Sequence, residues 1–248
     1  MNEGAPLPLP SPAVTDHVLG AISVAAVLDG GVRDVVGLLV SRPERHRALV
    51  AGARGRGIPV EVVEPPVLDA LGSGHGGIAA TVGPRRFHDL ADLPMGSPPF
   101  VAHLDGIEDP FNFGQAIRSL HAAGCDGAIL APRNWTTATA TVTRSSAGAT
   151  EFLPMAVAEA EDAVAMAHDR GLAVVAGAAV PGAVDLWDLD LTGPLLVLVG
   201  GERRGITRSV LREVTPVRVP YGRPWDRSLG TVAATTAIAF EVARQRRH

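Results

Sequence analysis

Between Thr15 and Val82 short apolar runs alternate with amphipathic stretches, and the spacing of the hydrophobic positions predicts a compact layer of helices on strands. The pattern gives a helix from Val18 and Leu19 to Leu28, a buried strand through Val35, Leu38, Leu39 and Val40, and a helix over 43–52. A strand through Ile58, Val60, Val62 and Val63, a short helix over 66–70 and a closing strand over 78–82 complete this part. Beyond residue 100 the alternation resumes with longer helices. Strands are expected over 100–104, 127–130, 172–176, 195–199 and 217–219, and helices over 112–123, 159–170, 207–213 and 229–245. Near-continuous apolar strands separated by helices imply an α/β fold with a mostly parallel sheet covered on both faces. The chain contains no internal repeat.

Prolines set the boundaries. Pro6, Pro8, Pro10 and Pro12 deny residues 1–14 both helix and ladder pairing, so a flexible tail is expected there. Pro84, Pro94, Pro98 and Pro99 fall in a stretch with little periodicity, the profile of a linker. The expected organisation is therefore a tail over 1–14, a small α/β domain over 15–83, a linker over 84–99 and a second domain over 100–248.

Composition narrows the partners. A length of 248 residues with 46% hydrophobic content suffices for buried cores. The single Cys125 rules out an internal disulfide and leaves no zinc-ligand spacing, so no metal is expected. His17, His46, His75, His88, His103, His121 and His168 form no i,i+4 pair and no pattern with acidic residues, and read as structural or surface groups. Pro, Gly or charge interrupts each long apolar run before it could span a bilayer, and the first residues lack the basic segment of a secretory leader. A cytoplasmic protein is expected. A net charge of −4 counts against an extended phosphate partner. All 22 basic residues are arginine, however, which is the better bidentate phosphate ligand. Arg42, Arg45, Arg47, Arg54 and Arg56 lie close together, and Arg203, Arg204 and Arg208 form a second group; each cluster reads equally as a solvated face.

The last fifty or so residues carry the chemistry. Leu195-Leu196-Val197-Leu198-Val199-Gly200-Gly201-Glu202 and then Val217-Arg218-Val219-Pro220 are apolar strands ending in tight loops, and Ser228-Leu229-Gly230 opens a helix rich in alanine and threonine. Small residues and main-chain amides at such ends can hold a polar ligand at close approach. A glycine run at Gly72, Gly74, Gly76 and Gly77 mimics a phosphate loop only superficially, since no lysine follows, and reads as a flexible turn.

Upstream lies Leu104-Asp105-Gly106-Ile107-Glu108-Asp109-Pro110-Phe111-Asn112-Phe113-Gly114-Gln115-Ala116-Ile117-Arg118. Together with Gly200-Gly201-Glu202-Arg203-Arg204-Gly205 and Val219-Pro220 followed by Ser228-Leu229, this segment resembles the three ordered motifs of the SpoU (TrmH-type) branch of the SPOUT RNA methyltransferases. Three motifs in order are specific where any one alone is not. Ser146-Ala147-Gly148-Ala149 before Glu151-Phe152-Leu153-Pro154, and the closing Glu241-Val242-Ala243-Arg244, are further echoes; the likeness covers residues 100–246. Gly74-His75-Gly76-Gly77-Ile78-Ala79-Ala80 is similar to the run that ends the small ribosomal-protein-like RNA-binding domain often found before this fold.

The resemblance implies a parallel sheet with a C-terminal trefoil knot whose crossing loops bind S-adenosylmethionine. Gly177, Val199, Gly200, Gly201, Val219, Pro220, Ser228 and Leu229 would then line the cofactor. It further implies a homodimer acting on RNA, ribosomal RNA before transfer RNA, at a ribose 2′-hydroxyl. That hydroxyl is a poor nucleophile, so a base or a cation must help it. Arg118 matches the arginine given this role, with Asn112, Glu202 and Ser228 around it. Each has an ordinary alternative: Asn112 as a helix N-cap, Glu202 as a cap for the helix near Thr207, and Ser228 as a cap for the last helix. For Arg118 a plain surface role is disfavoured, because Ala116, Ile117 and Leu120 suggest a largely buried helix. Gly230 stands where the family has asparagine. The acceptor could therefore differ, Thr231 or Asn134 could substitute, or the chain could be a cofactor-binding RNA chaperone; a small molecule or another RNA atom remains an open acceptor.

Overall fold

The computed structural model describes residues 15–132, 139–201 and 205–247. They form two compact units, one ending at Arg85 and one beginning at Arg86.

In the first unit, β1 (Asp16–Leu19), α1 (Ala21–Gly30), β2 (Val35–Val40), α2 (Arg47–Gly55), β3 (Val60–Val62), α3 (Pro65–Leu71) and β4 (Ile78–Val82) follow in order. The sheet runs β1-β4-β2-β3, with β4 antiparallel to both neighbours and β2 parallel to β3. Val24 and Val27 of α1 and Val50 and Ala53 of α2 bury one face against Val18, Leu38, Val40 and Ala80, while Leu68 of α3 closes on Leu19 and Ala79. The helix expected from Val18 to Leu28 is in fact a strand followed by a helix. Gly20 at φ 90° divides them, its N–H donating to the Ile78 carbonyl and its own carbonyl accepting from Val24. A four-residue apolar strand running into an amphipathic helix carries no break in hydrophobicity to reveal the join.

The glycine run is a bonded turn and not a loose one. His75 holds Asp69 at 3.0 Å through Nε2 and accepts from the Gly77 N–H through Nδ1, and His46 contacts the Gly76 carbonyl. The acidic partner of His75, six residues back, escaped the spacing argument.

The second unit contains β5 (Phe100–Asp105), α4 (Pro110–Ala122), β6 (Gly127–Leu130), α5 (Thr139–Ser145), β7 (Met155–Val157), α6 (Ala160–Asp169), β8 (Ala173–Gly177), β9 (Val184–Asp185), β10 (Leu195–Gly200), α7 (Arg208–Leu211), β11 (Thr215–Arg218) and α8 (Thr231–Gln245). Its sheet is parallel throughout, in the order β7-β6-β5-β10-β8-β11-β9. Burial on both faces explains why Leu195 to Val199 are all apolar. Phe113, Ile117 and Leu120 of α4 pack on one face with Ile238 and Val242 of α8; Ala163, Val164 and Ala167 of α6 pack on the other with Val210 of α7.

Much of the stretch expected to be linker is folded onto this unit. Leu93 is buried in the core beneath α6, and the His88 N–H donates to the Met155 carbonyl. Prolines erase periodicity without preventing single side chains from anchoring the chain.

At the far end, α8 is fastened to the edge where the strands begin. Gln245 donates to the Leu189 carbonyl and accepts from the Leu191 N–H, and Arg246 donates to the carbonyls of Pro98, Pro99 and Leu191 while lying 5.6 Å over the Phe100 ring.

Candidate active site

The other edge of this sheet gathers the motif loops. Register places Gly200 opposite Asp105, Val199 opposite Gly177, and Gly177 opposite Val217, so β5, β10, β8 and β11 end side by side. From β5 the chain moves outward to β6 and β7, and later crosses to β8 before β10 inserts between them. Parallel sheets bind ligands at such a reversal, beyond the carboxyl ends of the strands.

Glycines draw the loops together. A Cβ on Gly201 would stand 2.1 Å from the Gly106 carbonyl oxygen, and one on Gly200 would stand 2.6 Å from the Gly205 carbonyl carbon. The β5–α4 loop and the turn after β10 thus touch backbone to backbone, which a side chain would prevent. Chain packing is by itself a sufficient reason for glycine at these two positions. At Gly177 a Cβ would meet the Ile238 side chain of α8 at 3.2 Å. The third motif joins at the start of α8, where the Thr231 hydroxyl lies 3.5 Å from the Gly200 carbonyl, and the Leu229 N–H donates to the Tyr221 hydroxyl at 3.0 Å. Val219 packs on the core below and Pro220 is half-buried, whereas Ser228 and Leu229 are exposed. Gly177, Val199, Gly200, Gly201, Val219 and Pro220 therefore lie at or just past adjoining strand ends, with main chain and small apolar groups but no charged side chain among them. Such a cradle fits an adenosine edge held by backbone groups.

The expected catalytic side chains are placed as follows. Asn112 is the third residue of α4 but does not cap it: the Asp109 carboxylate does, accepting from the Asn112 N–H at 2.8 Å. Arg118 is exposed, which corrects the expectation of a buried position. The buried face of α4 is Phe113, Gly114, Ala116, Ile117 and Leu120, and a step of about 100° per residue turns Arg118 away from it. Its guanidinium makes no hydrogen bond or ion pair with another described residue. The capping role considered for Ser228 also falls away, because Gly230 occupies the N-cap of α8 at φ −59°, ψ 148°. Thr207 does sit at the N-cap of α7, yet its hydroxyl pairs with Ser209 rather than with the helix amides. Glu202 and Asn134 lie outside the described residues.

Other polar groups near the motifs are structural. Glu151 is fully buried and accepts from the hydroxyls of Thr143 and Thr150. A Cβ on Gly114 would fall 2.0 Å from the Ser145 hydroxyl and 2.7 Å from the Val142 carbonyl, so α4 and α5 cross in contact there. Pairing of α4 with α8 is fixed by Ser119 and Thr236, whose hydroxyls are 2.7 Å apart. His103 on β5 is fully buried; its Nε2 contacts the Ala158 carbonyl, Nδ1 has no partner among the described residues, and burial pulls its pKa below 6.5. No group of three or more metal-ligating side chains gathers among the described residues. Sequence reasoning missed Tyr221, which closes the last loop, and the structural need for Gly114; neither has a spacing signal of its own.

In the first unit Arg42, Arg45, Arg47, Arg54 and Arg56 are all exposed. Arg56 is committed to Asp29 at 2.8 Å and to the Leu28 carbonyl. Arg47 and Arg54 line a shallow groove of about 300 Å³ on α2 with Val50 and Ala51.

The fold is that of a SPOUT-class methyltransferase. Residues 99–240 match the SpoU rRNA methylase family, and residues 18–88 match the substrate-binding domain of RNA 2′-O ribose methyltransferases. The chain belongs to the SpoU rRNA methylase family, and the C-terminal knot is a feature of that fold. It is 36% identical over 244 residues to an uncharacterized tRNA/rRNA methyltransferase of Mycobacterium ulcerans, covering 94% of this chain and 78% of that protein. To the 23S rRNA (guanosine-2′-O-)-methyltransferase RlmB of Shewanella oneidensis it is 32% identical, covering 94% of this chain and 98% of that protein. The AdoMet-bound rRNA methyltransferase from Sinorhizobium meliloti superposes with a TM-score of 0.79 at 26% identity, covering 93% of this chain and 87% of that one.

Proposed function

We propose that this protein transfers a methyl group from S-adenosylmethionine to a ribose 2′-oxygen of ribosomal RNA. The observation that carries the reading is the meeting of the three motif loops at one sheet edge, where Gly201 abuts Gly106 and Thr231 reaches Gly200. The relative named as a 23S rRNA guanosine 2′-O-methyltransferase, at 32% identity over nearly its whole length, supports the choice of acceptor.

Bound at this edge, S-adenosylmethionine supplies an electrophilic methyl group. The backbone around Gly177, Gly200, Val219 and Leu229 would hold the donor, and close approach of donor and acceptor would supply much of the rate. Arg118, free of partners among the described residues, grips an RNA phosphate and stabilises the developing alkoxide as the hydroxyl proton passes to water. Asn112 and Ser228 orient the acceptor ribose, and Glu202, outside the described residues, is assigned by this reading to hold substrate or to fix Arg118. The arginines of α2 and its entry turn supply phosphate contacts through which the first unit selects structured RNA. Among the described residues no helix is long and apolar enough to cross a membrane; modification of ribosomal RNA places the action in the cytoplasm, where ribosomes are.

The same reading makes the protein a homodimer in which a second copy completes the acceptor site. Phe111 on α4, Phe240 on α8 and Phe152 are exposed apolar groups suited to such a seam.

Gly230 favours a second reading. A Cβ there meets nothing within 4 Å, so the space that the family's asparagine fills is open to a different acceptor, a small molecule or another RNA atom. Incubation with methyl-tritiated donor separates the two. Alkali-resistant label in ribosomal RNA supports the first, and label on a base or confined to small-molecule extracts supports the second.

A further inference from the structure

The loop from Tyr221 to Leu229 is exposed at every residue, and Trp225 stands at its middle. With 68% of its surface open, Trp225 is matched among the large apolar side chains of the described residues only by Ile22. An indole left in water forgoes the burial that makes tryptophan useful in a fold, so its place is explained by something that covers it. Arg223 and Arg227 flank it at two residues on either side. Arg223 makes no ion pair with another described residue, and Arg227 has only the exposed Asp226 at 3.6 Å. An exposed pair at that distance is weak, which leaves both guanidinium groups available.

The loop is anchored at both ends. It leaves β11 at the half-buried Val219 and Pro220, the Tyr221 hydroxyl accepts from the Leu229 N–H at 3.0 Å to close it, and it enters α8 where Thr231 reaches Gly200. Pro224 stiffens the backbone immediately before the indole. The tip is therefore presented from the rim of the candidate active site.

Resting on the RNA reading above, we infer that Trp225 is a stacking platform for an unpaired base of the substrate RNA, with Arg223 and Arg227 on the phosphates to either side. The alternation of cation, aromatic face and cation matches the alternation of phosphate and base along a single strand. A seam with a second copy fits less well, since it would bury two arginines against Asp226 alone. By holding the base, the loop sets which nucleotide presents its ribose to the strand ends; Trp225 is thus a positioning residue and touches no reacting atom.

The test uses the full chain with a mixed-sequence single-stranded 12-nucleotide RNA as probe. Trp135→Phe with Trp187→Phe leaves Trp225 as the sole tryptophan, and its emission is expected to quench on adding the RNA. In the otherwise intact chain, Trp225→Ala is expected to weaken RNA binding by about 5- to 150-fold, the loss of one stacked base, while Trp225→Phe keeps most of the affinity. Affinity for S-adenosylmethionine and the melting temperature should not change. Quenching by S-adenosylmethionine alone, or by raising the protein concentration without RNA, would overturn the platform in favour of a donor pocket or a subunit seam. So would wild-type RNA affinity in Trp225→Ala. The RNA reading fails separately, if the wild-type protein itself neither binds nor methylates RNA.

Discussion

Gly230→Asn restores the family residue at the one departure in the motifs, and its physical effect can be worked out from the N-cap of α8. The Gly230 backbone, at φ −59° and ψ 148°, lies in the region any residue adopts, so asparagine is unstrained there. A Cβ meets nothing within 4 Å, so no overpacking follows. The Gly230 carbonyl already accepts from the Ala234 N–H, while no side chain caps the helix. An asparagine carboxamide there can accept from the N–H of Val232 or Ala233. Asparagine improves on a glycine cap by a few tenths of a kcal/mol. Removing the backbone freedom of glycine from the unfolded chain adds roughly 0.4–1 kcal/mol. A total of about 1 kcal/mol corresponds to a rise of about 2–4 °C in melting temperature for a unit of this size. Differential scanning calorimetry reads it. In parallel, transfer of tritiated methyl groups to ribosomal RNA should hold or increase. A lowered melting temperature would refute the capping geometry. Unchanged stability and donor affinity with a sharp loss of transfer would instead show that the open space at Gly230 serves another acceptor.

Other residues give independent checks. Arg118→Ala should lower kcat on RNA by about two orders of magnitude or more, with donor affinity by calorimetry nearly unchanged, because its role is confined to the acceptor and the transition state; wild-type turnover would remove it from the mechanism. Gly201→Ala drives a Cβ into the Gly106 carbonyl and should cost about 3 kcal/mol or more together with donor binding, whereas a wild-type melting curve would contradict the contact between the first two motif loops. His103 is held below its unfolded pKa of 6.5 chiefly by burial, so the unfolded chain takes up the proton first and stability falls as pH drops below 6.5. His103→Gln should flatten that part of the stability–pH curve measured by urea unfolding, and an unaltered slope would discount His103.

Strand runs of Leu, Val and Ala were legible in the sequence because burial on both faces leaves no other residue type possible, as in β10. Less legible were β7 and β9, whose three and two residues are too short to carry a pattern, and β1, hidden by its continuity with α1. At the site, the motif loops declared their residues but not their reasons. Gly200 and Gly201 read as space for a ligand, and the structure adds a chain-to-chain contact that requires glycine there. Arg118 lies among apolar neighbours in sequence, yet helical geometry turns it outward. The cap of α4 is Asp109 because proline at the next position starts the helix two residues ahead of Asn112. For Gly201 the deciding partner, Gly106, came from distant sequence, whereas for Arg118 and Asp109 the local helix geometry fixed the role.

Methyl transfer to a ribose 2′-oxygen of ribosomal RNA leaves a chemical signature in the product. Unmodified ribosomal RNA incubated with the protein and S-adenosylmethionine, digested to nucleosides and resolved by mass spectrometry, tests it most directly. The account predicts a nucleoside whose added 14 mass units stay with the ribose fragment, and whose 3′ phosphodiester resists alkali. Methyl mass on the base fragment, or none in RNA while small-molecule extracts become labelled, would contradict it.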